Sequence, residues 1–173
     1  WVHDTTASPA QDFFFVRLRG AVAAVDAAVL KMSADVQALG AHVTRMSADD
    51  AAADWKASGE HTLDFFNAPT DQHCLWRLSV AQTAPVLDVP YAQYIEWHGA
   101  QRWLWAPASA AQRLRDVAQQ AGGHATLFRT SSAHGDADKA VGVFTPLNAV
   151  QQRIQDELKK QFDPAGIFNR GRA

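Results

Sequence analysis

The chain has 173 residues, 47% of them hydrophobic, with 16 Lys+Arg against 18 Asp+Glu for a formal net charge of -2 and a single cysteine, Cys74. That is the size of one domain, able to bury roughly two-thirds of the surface the unfolded chain exposes. The balance excludes wholesale disorder, bulk-charge attraction to nucleic acid or an anionic membrane, and any disulfide or multi-thiolate metal site within the chain. No apolar run approaches the roughly 20 residues that span a bilayer, and no signal peptide is visible. A reducing, cytoplasmic setting fits one cysteine. The first residue is Trp1, so the expectation is of a piece of a longer protein.

Asp12 to Leu18 is aromatic and β-branched and predicts a strand. Ala21 to Leu39 predicts a helix, because Val22, Val25, Val29, Met32 and Val36 recur at steps of three and four. Gly40 sits where a helix-ending glycine belongs. Ala41 to Met46 predicts a short strand, which would complete a strand–helix–strand unit. Ser47 before Asp49 and Asp50 is an N-cap signal, for a helix running to about Ser58 and stopped by Gly59.

Leu75 to Val80 alternates cleanly, with Trp76, Leu78 and Val80 against Arg77 and Ser79. Ala84 to Pro90 is a linker. Tyr91 to Trp97 and Gln101 to Trp105 predict a hairpin turning at His98-Gly99-Ala100. Pro107 opens a helix at a position it tolerates, with Leu114 and Val117 on a narrow apolar face and Gly122-Gly123 ending it. Ala125 to Arg129 is a further strand, and Thr130 to Ala140, small and polar, reads as a mobile loop. A last helix covers about Leu147 to Gln161, striped by Val150, Ile154 and Leu158. The fold class is α+β: a mainly antiparallel sheet with helices on one face, the other face left for something else to cover.

Chemistry concentrates on the strands. Arg77 and Ser79 share one side of theirs, Glu96 and His98 share a side of another, and His124 and Thr126 share a third with Arg129 opposite. Several strand arginines, Arg77, Arg102 and Arg129, suit a planar carboxylate receptor. The alternative is that they pair with acids on a solvated sheet face. The seven histidines show neither HxxxH nor HxH spacing, so no metal site is expected. Trp97, Trp103 and Trp105 fit cross-strand aromatic pairs. No GxGxxG or P-loop occurs, and Ser131-Ser132-Ala133-His134 lacks the strand–turn–helix context of a hydrolytic nucleophile.

The closing string, Phe162-Asp-Pro-Ala-Gly-Ile-Phe-Asn-Arg-Gly-Arg172, reads physically as a helix stop and a tight turn. Asp163 can accept from following amides, Gly166 suits a positive φ, and Ile167 and Phe168 would pin the tail to the body. It resembles the terminal motif FDPxGIxNPGR of FAD-linked oxidases of the vanillyl-alcohol-oxidase type. The segments Leu75–Val80, Glu96–Trp103 and Gly122–Arg129 are similar, in the same order, to the FAD-binding E-subunit family of bacterial glycolate oxidases. Residues 75 onward carry the resemblance and 1–74 match loosely. Two departures are Arg170 where the family has Pro and His98 where it usually has Gly.

The resemblance implies a C-terminal substrate or cap domain spanning 1–173, whose N-terminal FAD-binding domain lies outside this sequence. It implies oxidation of glycolate or a similar 2-hydroxy acid to the 2-oxo acid, in a complex of a catalytic flavoprotein subunit, this related subunit and an iron–sulfur subunit. Such a complex is cytoplasmic, with association to the inner membrane through partner subunits. FAD would belong to the full-length subunit, with Asn169 of the motif on the cofactor and Arg77, Arg102, Arg129, Glu96 and His124 facing substrate or flavin. No catalytic residue is assigned, and the fragment alone is expected to be colourless and inactive. Two rival readings are a stand-alone ferredoxin-like binding or dimerisation module, and a small α+β enzyme built on scattered histidines.

Overall fold

A computed structural model describes residues 1–4, 9 and 11–168. Strands β1 (Val2–Asp4), β2 (Gln11–Phe13), β3 (Cys74–Ser79), β4 (Gln93–Glu96), β5 (Gln101–Ala106) and β6 (His124–Arg129) form one sheet in the order β2-β1-β4-β5-β3-β6. Every pairing is antiparallel. The helices are α1 (Val22–Ala38), α2 (Ala48–Glu60), α3 (Ala111–Gln120) and α4 (Ala149–Phe162).

The alternation of β3 and β5 sorts the core onto two faces. Cys74, Trp76, Leu78, Leu104, Ala106, Ala125 and Leu127 pack under Ala111, Leu114 and Ala118 of α3. On the other face Leu75, Trp103 and Trp105 pack against Phe66 from the turn Asp64–Phe66. Each fully buried large side chain, such as Leu114 or Leu78, contributes about 1.5–3 kcal/mol. Only α3 covers the sheet as expected of the helices. α1, α2 and α4 bury no residue completely.

Local signals account for much of the rest. The Ser47 hydroxyl accepts from the Asp50 amide, with Asp49 and Asp50 in the first turn of α2. Asn148 and Gln151 form a reciprocal capping box on α4. Gly123 lies so close to β3 that an added Cβ would stand 1.7 Å from the Ser79 carbonyl oxygen. Only glycine lets the α3–β6 turn approach there.

Five expectations are corrected. The N-terminal strand stops at Phe13, because β1, its partner, is only three residues long; Phe14, Phe15 and Val16 are exposed. Residues 41–46 find no strand partner and stay irregular, so no strand–helix–strand unit forms. α2 passes through Gly59 and ends on left-handed His61 (φ 56°). Residues 130–140 are not a free loop. A 3-10 turn, Gly135–Val141, is tied down by Asp138, which accepts from the Ser131 hydroxyl at 2.6 Å and the Ser131 amide at 2.8 Å. At the tail, Asp163 does accept from the amides of Ile167 and Phe168, and Gly166 has φ 61°. Ile167 and Phe168 nevertheless point to solvent, as do Val150, Ile154 and Leu158.

Candidate functional site

Residues directly opposed in an antiparallel ladder share a face. The register therefore writes transverse rows across β4, β5, β3 and β6. One row is Tyr94, Trp103, Arg77 and Thr126; the next is Glu96, Gln101, Ser79 and His124. The row before them, Trp105 and Leu75, lies under Phe66. Along this face the surface thus passes from a covered apolar end to a polar end beside the β4–β5 turn.

Arg77, Glu96 and His124 are brought to that face together. The Glu96 carboxylate accepts from Gln101 Nε2 at 2.6 Å and Trp103 Nε1 at 2.7 Å, both on one oxygen. The Arg77 guanidinium carbon lies 5.8 Å from the centre of the Phe128 ring, and its Nε is buried with no hydrogen-bond partner. His124 is exposed at the end of β6.

The other two arginines do not join that polar end: Arg102 lies on the opposite face and Arg129 at the apolar end. Arg102 pairs with Leu78 and Ile95 on the α3 face and is 2% exposed. Its Nε donates to the Gly99 carbonyl at 2.7 Å and its Nη2 to the Ala84 carbonyl at 2.9 Å. Burial lowers its pKa. It braces a turn in which Trp97, His98 and Gly99 all have positive φ, at 52°, 52° and 92°. His98 therefore occupies a conformation that favours glycine. Arg129 is displaced by a register shift: Leu127 opposes Trp76 but Arg129 opposes Leu75, leaving Phe128 extra. The bulge sends Arg129 to the Phe66 side, where Nη1 meets the Phe66 carbonyl at 3.4 Å. Asn169 lies outside the described residues.

Four residues of this face escaped the sequence reading. Tyr94 shares a hydrogen bond with the Ser58 hydroxyl at 2.8 Å, pinning α2 to the sheet, and burial raises its pKa. Gln101 orients Glu96. Phe128 sits edge-on to Trp103 at 4.8 Å. His61 stacks on Phe66 at 4.3 Å and meets Trp103 and Phe128 edge-on at 4.7 and 5.5 Å. Burial pushes the His61 pKa down, Glu96 acts against that and Arg129 reinforces it. Nothing in sequence spacing marks His61, since it arrives from the end of α2.

The remaining cluster of reactive side chains is structural. Ser131 is 2% exposed and its hydroxyl donates to Asp138, while His134 Nδ1 lies 3.3 Å from that hydroxyl and 3.6 Å from the same carboxylate. One imidazole nitrogen faces both partners, so no proton can be passed from serine through the ring. Cys74 also donates to Asp138, at 3.3 Å, and burial pushes its pKa up to about 11, so it stays a thiol. Among the described residues no three His, Cys, Asp or Glu side chains are grouped to hold a metal ion, and no helix is long and apolar enough to cross a membrane.

Comparison with known proteins supplies a relative. Over 118 residues the chain is 42% identical to glycolate oxidase subunit GlcE of Escherichia coli, an alignment covering 68% of this chain and 30% of that protein. No family model matches the chain, and no solved structure does. The chain is homologous to a part of GlcE, and its aligned region spans less than a third of the length of that relative.

Proposed function

We propose, from homology to a part of GlcE, that this chain is the C-terminal, ligand-facing domain of a glycolate oxidase flavoprotein subunit. It would contribute to oxidation of glycolate or a similar small 2-hydroxy acid to the 2-oxo acid. The 42% identity carries this reading, and the one-sided sheet supports it. One face is closed by α3, while the other carries an orphaned arginine donor, a carboxylate, an exposed histidine and aromatic rings.

These residues fit one half of an FAD. A flat, partly aromatic face with a half-buried guanidinium can lie over an isoalloxazine ring and favour negative charge near it. No glycine-rich loop at a helix N-terminus offers a phosphate cradle among the described residues, so the rest of the cofactor would be held by another domain. When bound, the flavin supplies hydride acceptance. The chain's own residues do the positioning: Arg77 faces the anionic end of a ligand, Gln101 and Trp103 hold Glu96 in a single orientation, and the Trp103–Phe128–Phe66 cluster excludes water from one side. Partners would be the catalytic flavoprotein and iron–sulfur subunits, in a cytoplasmic assembly.

A chimera tests the reading. The matched region of E. coli GlcE is replaced by this chain and glycolate-dependent dye reduction is measured in cells lacking GlcE. Restored reduction that is lost again with Arg77→Gln is the expected result. A folded, expressed chimera that restores none contradicts the proposal. The chain purified alone is expected to be colourless, and firmly held FAD would overturn the division between domains.

A further inference from the structure

Helices α3 and α4 carry the same kind of apolar stripe and meet opposite fates. In α3, Leu114 and Ala118 stand four residues apart and are both fully buried against the sheet. In α4, Val150, Ile154, Leu158 and Phe162 also stand at four-residue steps, yet they are 57%, 54%, 52% and 82% exposed, with Leu147 just ahead of the helix at 42%. Steps of four along an α-helix form one continuous ridge, inclined to the axis, of the kind that seats in the groove of another helix. Among the described residues this ridge belongs to neither core cluster.

α4 is nevertheless a finished element. Asn148 and Gln151 close its start. At its end Asp163 accepts from Lys159 Nζ at 2.9 Å and from the amides of Ile167 and Phe168. Its root is fastened to the edge strand β6, where the Leu127 amide donates to the Val143 carbonyl at 2.8 Å and the Thr145 hydroxyl donates to the Ala125 carbonyl at 2.9 Å. A helix held in this way loses little freedom when its ridge is covered.

Area decides what covers it. The five side chains expose on the order of 500 Å² in all, comparable to the largest patch a typical monomer leaves open. Pairing with a second copy would bury about 1,000 Å² in total, short of the roughly 1,200–2,000 Å² of a stable specific dimer. The same area falls inside the roughly 600–1,500 Å² typical between domains of one chain, where the tether supplies an effective concentration of about millimolar. The matched region is 30% of GlcE, so most of that relative lies outside it. Arg153 and Glu157, which line a shallow groove with Ile154 and Leu158, are of opposite sign, so the ridge favours an apolar rather than a strongly charged partner.

We infer that the α4 ridge seats an apolar helix of the flavin-holding domain of the same subunit, crossing α4 at about 50°. This rests on the reading of the chain as one domain of a GlcE-like subunit, and it adds to the sheet face a second contact between domains, rooted at the β6 edge.

Hydrogen exchange read by mass spectrometry tests this on the chain alone and on the GlcE chimera described above. In the chain alone, α4 amides should exchange far faster than those of α3; in the chimera they should slow by roughly tenfold or more. Ile154→Gln combined with Leu158→Gln keeps helix propensity. The pair should leave the melting temperature of the chain alone within about 2 °C of the parent. In the chimera it should return α4 to the exchange rate of the chain alone while α3 stays protected. A chimera unfolded by the pair, when the chain alone tolerates it, also supports the seat. Equal α4 exchange in the chain and in the folded chimera, or protection that survives both substitutions, overturns it. The chain alone can overturn it independently, by showing α4 already protected in a monomer or by sedimenting as a dimer that the two substitutions split. Dye reduction separates this inference from the proposed function. Restored reduction with α4 unprotected sinks the seat and leaves the function standing, whereas a protected α4 without reduction does the reverse.

Discussion

Replacing Arg102 by methionine separates an arginine that builds the domain from Arg77, which lies on the opposite sheet face. Methionine keeps much of the aliphatic stem and removes two charge-assisted bonds, to Gly99 at 2.7 Å and Ala84 at 2.9 Å. Hydrogen bonds to a charged group are each worth about 1.5–3 kcal/mol, and two give about 3–6 kcal/mol. Relief of the desolvation that lowers the pKa of Arg102 offsets part of this, which places the expected loss near the lower bound, about 3 kcal/mol. For a chain of this size that corresponds to a fall in melting temperature of about 6–12 °C. Calorimetry gives the shift, and dye reduction by the chimera carrying this chain gives the second readout. Arg102→Met should melt early but support the same dye reduction as the parent chimera at a temperature where it is folded. A melting temperature within about 2 °C of the parent refutes the clamp. Unchanged stability with lost dye reduction would refute the assignment of Arg102 to the α3 face.

Two further predictions concern a turn and a buried carboxylate. His98→Gly removes a left-handed non-glycine residue and should leave stability within about 1 kcal/mol of the parent, while His98→Val, β-branched at φ 52°, should cost about 2 kcal/mol more than the glycine variant in urea unfolding. The Ser131 hydroxyl is the largest cause holding the Asp138 carboxyl below its ordinary value near 3.8. The folded state therefore binds that proton less readily than the unfolded chain, so its stabilisation is complete above the ordinary value and is lost as pH falls through the lower folded one. Asp138→Asn should be less stable at neutral pH and show a shallower acid-side decline, measured as urea midpoints between about pH 3 and 7.

Much of the architecture was legible because local and global signals agree. The alternation of residues 75–80 reflects a strand buried on one face and half-buried on the other. Ser47 and Gly122 mark helix ends through capping and positive φ, which are local chemistry. Residues 12–18 and 41–46 failed for a different reason. β-propensity describes fit to a sheet, and these segments have too little neighbouring strand to pair with. At the site, parity correctly grouped Arg77 with Ser79 and His124 with Thr126. It misplaced Arg129 because a bulge adds one residue to the count. Arg102 required the relation between strands, since being polar on a strand does not say which face has water. His61 and Phe128 meet only through the fold, one from the end of a helix and one from the bulge. The solvent-facing stripe of α4 shows the converse: periodicity identified the helix, but periodicity does not say what the stripe touches.

The transverse rows mean that core and site are printed on opposite sides of the same hydrogen-bond ladder. A one-residue slip of β4 against β5 would send Tyr94 and Glu96 toward α3 and bring Gln93 and Ile95 to the opposite face. A chain that has mispaired these strands loses its packing in the same act that dismantles its polar face. Selection for correct packing is thereby also selection for the row of Glu96, Gln101, Ser79 and His124 on the opposite face.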